Sequence, residues 1–303
     1  MAPRIVIAGS ANMDVVGLAA RLPLPGETVL GDDFMMTPGG KGANQAIAAA
    51  RAGGRTIFLG AIGSDAFGVT INARLTAAGV DASGVRTSYG QSGVAVIMVD
   101  RSGENSILVA PGANTSFTGL TEPERRTIAE ADVLVCQLEI PVETVTEAMR
   151  VARAAGTRTI LNAAPARSLP PELLDNVDLL VVNETEAATI SGRSEIDMSA
   201  LLALVPRVVL TLSGAGSRYA DREGVDTRVP AYVVEVVDTT AAGDAFTGAI
   251  AVAWGEGRSL LEAVGWANAA GAACVRHVGA SNALPTRDEI DALYLSVSPP
   301  RTE

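Results

Sequence analysis

The sequence holds a single histidine, His277, and two cysteines, Cys136 and Cys274. One histidine excludes histidine metal clusters and leaves Ser-His-Asp chemistry without support. The cysteines stand far apart, make no C-x-x-C pair and sit in apolar runs, so they read as two buried thiols. Aromatic residues make up only 4% of the chain, too few for an aromatic-rich binding surface. No cluster of Lys and Arg occurs, and the net charge is −11. Such a chain is a poor partner for nucleic acid or an anionic membrane. No stretch approaches the ~20 apolar residues of a membrane span. The opening "MAPRIVIAGSANMD" carries too short an apolar run for a signal peptide. A cytoplasmic, reducing location is expected. The chemistry left to the chain is that of carboxylates, Lys41, backbone amides and bound ions.

What is present is apolar and small. Hydrophobic residues account for 48% of 303 positions, enough for a sizeable core. That length suits two small domains or one large α/β domain with an accessory piece. Short β-branched runs recur at Ile5–Ala8, Thr56–Leu59, Val133–Leu138, Thr159–Asn162, Leu179–Asn183, Val208–Leu212 and Val233–Val237. Near-continuous apolar runs indicate strands buried on both faces, hence a parallel sheet. Helical patterns separate many of them. "ANQAIAAARAGG" stops at Gly53 and Gly54, and "SLLEAVGWANAAGAACV" opens with Ser259 and Glu262 in capping-box spacing. Asn183 and Glu186 have the same spacing. The alternation predicts an α/β fold with a doubly wound, mainly parallel sheet flanked by helices. Two regions break it. Residues 12–38 lack a helix, and residues 91–110 read as a hairpin turning at 100–104. Together they predict a small second sheet, either a lid that excludes water or a plain extension. The tail "SVSPPRTE" reads as disordered.

Small polar or acidic residues end the expected strands: Glu139, Asn162, Asn183, Thr211 with Ser213, and Asp238. Ligands of open α/β sheets bind at the carboxyl ends of strands, so these positions line one rim. In "VVDTTAAGDAFTGAI", Ala241, Ala242 and Gly243 precede Asp244 at a helix start. Unpaired N–H groups point outward there and favour an anion; larger side chains would block access to them. Asp244 admits two readings, an acid favoured by the helix dipole or a general base beside an anion hole. The run Gly39–Gly40–Lys41–Gly42 is no P-loop, since Gly42 follows the lysine and Met35 occupies the first glycine position. It still offers close backbone approach with Lys41 and Asn44 as donors. In Ser213–Gly214–Ala215–Gly216, Tyr219 occupies the last glycine position of a dinucleotide fingerprint, which leaves a turn over a nucleotide phosphate.

These segments resemble the ribokinase family of carbohydrate kinases, from "GSANMD" at Gly9 to "GASNALPTRDEIDA" near the end. The matching motifs are "PGETV" (25–29), "GGKGANQA" (39–46), "APGANT" (110–115), "QLEIP" (137–141), "NAAPAR" (162–167), "NETEA" (183–187) and "DTTAAGDAF" (238–246). The resemblance implies one α/β domain over 1–303, with lid segments 12–38 and 91–110 that pair in a homodimer. It implies ATP-dependent phosphorylation of ribose at the 5-hydroxyl, with Asp244 as general base and Ala241, Ala242 and Gly243 framing the anion hole. Sugar hydroxyls would meet Asn12, Asp14, Gly40, Lys41, Asn44, Glu139 and Asp244. Nucleotide contacts would come from Asn183, Thr211, Ser213, Gly214, Gly216, Gly243 and Asn268. Glu186 would help place Mg²⁺ through water, with helix capping as its other reading. A monovalent cation, K⁺, would lie among Asp238, Thr240, Cys274, His277, Gly279 and Ala283, several acting through carbonyls. Ala283 stands where a serine hydroxyl is common, leaving water, Ser281 or Asn282 as substitutes, and Ser213 stands where glycine is usual. A sibling kinase acting on deoxyribose, fructose or a nucleoside, or a non-catalytic sensor on the same fold, are the competing readings.

Overall fold

A computed structural model of the chain describes residues 1–193 and 196–296. The tail expected to be disordered lies outside these residues from position 297 on. In chain order the strands are β1 (Arg4–Ala8), β2 (Asn12–Ala19), β3 (Gly31–Gly39), β4 (Arg55–Gly63), β5 (Val85–Ser88), β6 (Gly93–Asp100), β7 (Asn105–Ala110), β8 (Val133–Cys136), β9 (Arg158–Asn162), β10 (Leu179–Asn183), β11 (Arg207–Thr211), β12 (Ser217–Asp221) and β13 (Asp226–Val229). The helices are α1 (Lys41–Arg51), α2 (Ala66–Ala77), α3 (Glu122–Ala129), α4 (Val142–Ala155), α5 (Pro171–Leu174), α6 (Glu184–Ser191), α7 (Met198–Leu204), α8 (Ala242–Gly255), α9 (Leu260–Cys274) and α10 (Arg287–Ser296).

Nine strands form one sheet in the order β13-β12-β11-β10-β9-β8-β1-β4-β5. From β11 to β5 every neighbouring pair is parallel; β12 and β13 extend the edge in antiparallel fashion. Alternate side chains of a strand serve opposite faces. In β1, Ile5 and Ile7 join the core that holds Ala46 of α1, Ile250 of α8 and Trp266 of α9. Val6 and Ala8 join the core that holds Ile128 of α3 and Met149 of α4. The continuous apolar runs therefore mark a sheet covered on both sides, as their composition predicts.

Residues 12–38 and 91–110 contribute a second sheet of four strands, β3-β2-β6-β7. The expected hairpin is β6 and β7, and β2 pairs β6 in parallel and β3 in antiparallel register. Phe34, Met36, Val96, Met98 and Leu108 share one face by register and remain exposed.

Three strands differ most from expectation, the first being β4, which runs on to Gly63 beyond the expected Leu59. β8 stops at Cys136, so Gln137 and Leu138 belong to the loop after it. No strand forms over 233–237. Pro230 follows β13 and has no N–H for a ladder. The N–H groups of Val237 and Asp238 donate to the Val275 carbonyl instead. Val233, Val236 and Val237 are exposed. Asp238 thus enters α8 from an irregular segment and does not end a strand.

Candidate active site

α1 begins at Lys41, directly after Gly40, whose φ of 89° a side-chain-bearing residue rarely adopts. The glycines before and within this turn also permit contact. A Cβ on Gly39 would fall 2.0 Å from the Asp14 carboxylate, and one on Gly42 would fall 2.5 Å from the Ser10 nitrogen. The loop can therefore lie against β2, where Asn12 and Asp14 are buried. Asn114 fixes Asn12: its Nδ2 donates to Asn12 Oδ1 at 2.7 Å while its Oδ1 accepts from the Ala11 N–H at 2.9 Å. Glu139, in the loop after β8, accepts from Ser10 Oγ at 2.5 Å and from the Lys41 N–H at 3.1 Å. All the residues expected to hold sugar hydroxyls thus converge on the start of α1.

Asp244 lies in the first turn of α8, is buried, and faces the same point. Asn44 Nδ2 donates to its Oδ2 at 3.0 Å, and Gln45 Nε2 donates to its Oδ1 at 2.9 Å. Burial pushes the Asp244 carboxyl up, while Lys41, Gln45 and Asn44 pull it back toward the ionised form. Asp14 is pushed up to about 7 by burial, then by the charges of Glu139 and Asp244. Burial works against the charge of Lys41, but Asp244, Glu139, Glu186 and Asp14 outweigh it and hold the ammonium above its usual range. Lys41 is the only lysine in the sequence, so this balance rests on one side chain. At the entrance to α8, Ala241 is the N-cap in a left-handed conformation with φ of 61°, and no side chain caps the helix. A Cβ on Gly243 would meet nothing within 4 Å. The main chain at Gly243 therefore borders open space, as an anion requires, whereas the Ala242 N–H, expected to be unpaired, donates to the Thr239 carbonyl at 3.3 Å.

The residues expected at a nucleotide lie on the adjoining strand ends. Asn183 and Thr211 are register partners on β10 and β11. Asn183 and Glu186 form a reciprocal capping box on α6, with Glu186 Oε2 accepting from the Asn183 N–H at 2.8 Å. Burial pushes the Glu186 carboxyl up, opposed by that N–H and by Lys41. The capping reading of Glu186 is the one this geometry displays. Ser213 adopts φ of 50°, the left-handed region that glycine favours. A Cβ on Gly214 would meet open space, whereas Gly216 lies against the Val229 carbonyl. Asn268 Nδ2 donates to that same carbonyl at 3.1 Å and to that of Pro230 at 3.2 Å. Asn268 is therefore an anchor for the strand exit beside the glycine turn.

The expected cation residues divide. Asp238 Oδ1 accepts from Thr240 N at 2.9 Å and from Thr240 Oγ1 at 2.6 Å, and its Oδ2 accepts from the Gly279 N–H at 2.8 Å. Cys274 Sγ donates to the Thr240 carbonyl at 3.6 Å. These four are together. The His277 side chain is exposed, and Ala283 is buried without a hydroxyl. Ser281 does not replace it freely: its Oγ accepts from Arg74 Nε at 3.2 Å and its carbonyl from Arg74 Nη2 at 2.6 Å. Both cysteines are free and buried.

Sequence reasoning passed over Ser10, Gln45, Asn114 and Gln137, and treated Asn162 only as a rim residue. All five are buried or half-buried polar groups within or beside quoted motifs. Their signal was an amide or hydroxyl embedded in an otherwise apolar, tightly packed stretch, since such groups are retained only with partners.

The family model described as pfkB family carbohydrate kinase matches residues 2–287. The chain belongs to the pfkB family of carbohydrate kinases. Among curated relatives of this carbohydrate kinase, the ribokinase of Bacillus subtilis is 40% identical over 95% of this chain and 98% of its own length. The ribokinase of Haemophilus influenzae is 38% identical over 95% of this chain and 97% of its own. Among solved structures, that of Arabidopsis thaliana ribokinase complexed with ribose and ATP superimposes with a TM-score of 0.91 at 34% identity, covering 97% of this chain and 99% of that one. Its fold likeness extends over the second sheet as well as the nine-stranded one, given that coverage.

Proposed function

We propose that this carbohydrate kinase transfers the terminal phosphoryl group of ATP to the 5-hydroxyl of D-ribose, giving ribose 5-phosphate and ADP. The observation that carries the reading is the buried Asp244 carboxylate, tied to Asn44 and Gln45, beside the Gly243 main chain at the start of α8, which borders open space. Asp244 takes the hydroxyl proton as general base, a role worth ~10²–10⁴ in rate. The main chain of Ala241, Ala242 and Gly243 receives the negative charge of the migrating group. Asn12, Asp14, Gly40, Lys41, Asn44 and Glu139 hold the sugar. Asn183, Thr211, Ser213, Gly214, Gly216 and Gly243 face the nucleotide, with Asn268 bracing that side. The relatives that act on ribose support this acceptor.

Two ions belong to the reading. Among the described residues no three His, Cys, Asp or Glu side chains gather as a metal cage. That fits Mg²⁺, which prefers substrate phosphates and water with one carboxylate nearby, here Glu186. When bound it offsets triphosphate charge. K⁺ suits the corner where Asp238 and Thr240 meet, with carbonyls of Cys274, His277, Gly279 and Ala283 as its further expected ligands. The chain acts as one α/β domain, with 12–38 and 91–110 as its lid. The exposed row Phe34, Met36, Val96, Met98 and Leu108 is read as the face on which two lids pair in a homodimer. A cytoplasmic location, where ATP is supplied, fits this chemistry.

The test is ADP release with a panel of ribose, deoxyribose, fructose and nucleosides, with and without K⁺, for the wild type and Asp244→Asn. Ribose should give the highest kcat/KM. The variant should lose at least about a hundredfold in kcat while still binding ribose. Turnover that ignores ribose, or a fully active Asp244→Asn enzyme, would overturn the assignment.

A further inference from the structure

We propose that Gln45 is a positioning residue for the Asp244 carboxylate, and that Gln137 and Asn162 fix the orientation of its amide. This rests on Asp244 being the general base. Gln45 and Gln137 are both completely buried. Gln45 Nε2 donates one hydrogen to Asp244 Oδ1 and the other to Asn162 Oδ1, each at 2.9 Å. Its Oε1 accepts from Gln137 Nε2 at 2.6 Å. Asn162 is itself oriented, because its Nδ2 donates to the Val181 carbonyl at 3.2 Å.

An amide has two donor hydrogens and one acceptor oxygen, and both kinds are used here. Turning the Gln45 amide over would set its oxygen against Asp244 Oδ1 and Asn162 Oδ1, and its NH₂ against the Gln137 donor. The surroundings therefore admit one orientation, the one that aims N–H at the carboxylate. With Asn44 on the other oxygen, Asp244 is gripped at both ends and keeps lone pairs for a substrate hydroxyl. The grip matters because a buried carboxyl tends to take up a proton, and a protonated Asp244 accepts nothing from a sugar. Room for the arrangement comes from Gly9, where a Cβ would fall 2.0 Å from Gln137 Oε1.

If Gln45 merely filled space, its loss would change stability and not titration. The experiment measures kcat against pH for the wild type, Gln45→Met, Gln45→Glu and Gln137→Met, alongside Asp244→Asn, with thermal melting and ribose KM for each. Losing a donor to a charged group should move the acid limb of Gln45→Met up by between about one and two pH units. Turnover then falls along the displaced acid limb and recovers as pH rises above it, with ribose KM little changed. Gln137→Met should shift the same way by less. Gln45→Glu keeps the shape and adds a negative charge, so its limb should move further; it decides the matter if Gln45→Met does not fold. Unshifted limbs in the Gln45 variants, with Asp244→Asn inactive, would overturn the clamp alone. An active Asp244→Asn enzyme would overturn the base assignment beneath it.

Discussion

Ser213 holds a conformation that glycine takes without cost. A non-glycine residue in the left-handed region loses roughly 1–2 kcal/mol, and glycine returns part of that by freeing the unfolded chain. Ser213→Gly should therefore raise stability by up to about 1 kcal/mol, read as a higher denaturation midpoint. Asp14 has a pH-dependent effect of defined sign. Its pKa rises on folding from 3.8 to about 7, through burial and then the charges of Glu139 and Asp244. The folded chain thus binds more protons than the unfolded one between those values. The stability from this position is fully present below the lower value and lost as pH climbs through the upper one. Relative to wild type, the ligand-free Asp14→Asn protein should gain on the order of a few kcal/mol between about pH 5 and pH 8, measured by denaturant titration at each pH. Much of this site was readable from residue type alone: an acid beside bare glycine and alanine, and a lysine in a glycine turn. The amide partners were not, because Gln45 and Gln137 stand 92 positions apart and only the fold sets them in contact.

At the scale of elements, α1 and α8 matter most, since α1 carries Lys41, Asn44 and Gln45 and α8 carries Asp244. They approach closely because their facing residues are small. A Cβ on Gly248 would lie 2.6 Å from Ala48 Cβ and 2.8 Å from the Ala49 nitrogen. Gly248→Val should cost roughly 1–3 kcal/mol of stability through overpacking. It should also lower kcat in the protein that remains folded, by separating Asn44 and Gln45 from Asp244. An equal kcat at reduced melting temperature would show that the helix spacing is not what aligns them. The strands of the nine-stranded sheet were legible because apolar β-branched runs have few other places to go. The segment 233–237 looks the same in sequence, yet Pro230 cuts it from the ladder and the Val275 carbonyl claims its exit. The proline stands in the sequence, but the claim of the Val275 carbonyl leaves no trace there.

For the whole molecule, the two sheets divide the work: one supplies a rim of strand ends, the other presents an exposed apolar face. If two lids pair there, Leu108→Glu, on the edge strand β7 of that face at 69% exposure, should leave a monomer by sedimentation and equilibrium light scattering. A dimer that survives the change would place the contact elsewhere. The α/β architecture and the second sheet could be anticipated from the alternation of runs and its two interruptions. The pairing of β2 with β6 could not, because it joins segments separated by the whole of α1, β4, α2 and β5.

Asn44 and Asp244 touch across 200 positions of chain. On the ribosome, α1 emerges long before α8 exists, so the nascent polypeptide holds Lys41, Asn44 and Gln45 with no carboxylate of α8 to face them. A product of aborted synthesis that ends before Asp244 lacks this contact altogether. Topology thereby makes the pairing of these two helices a late event in synthesis.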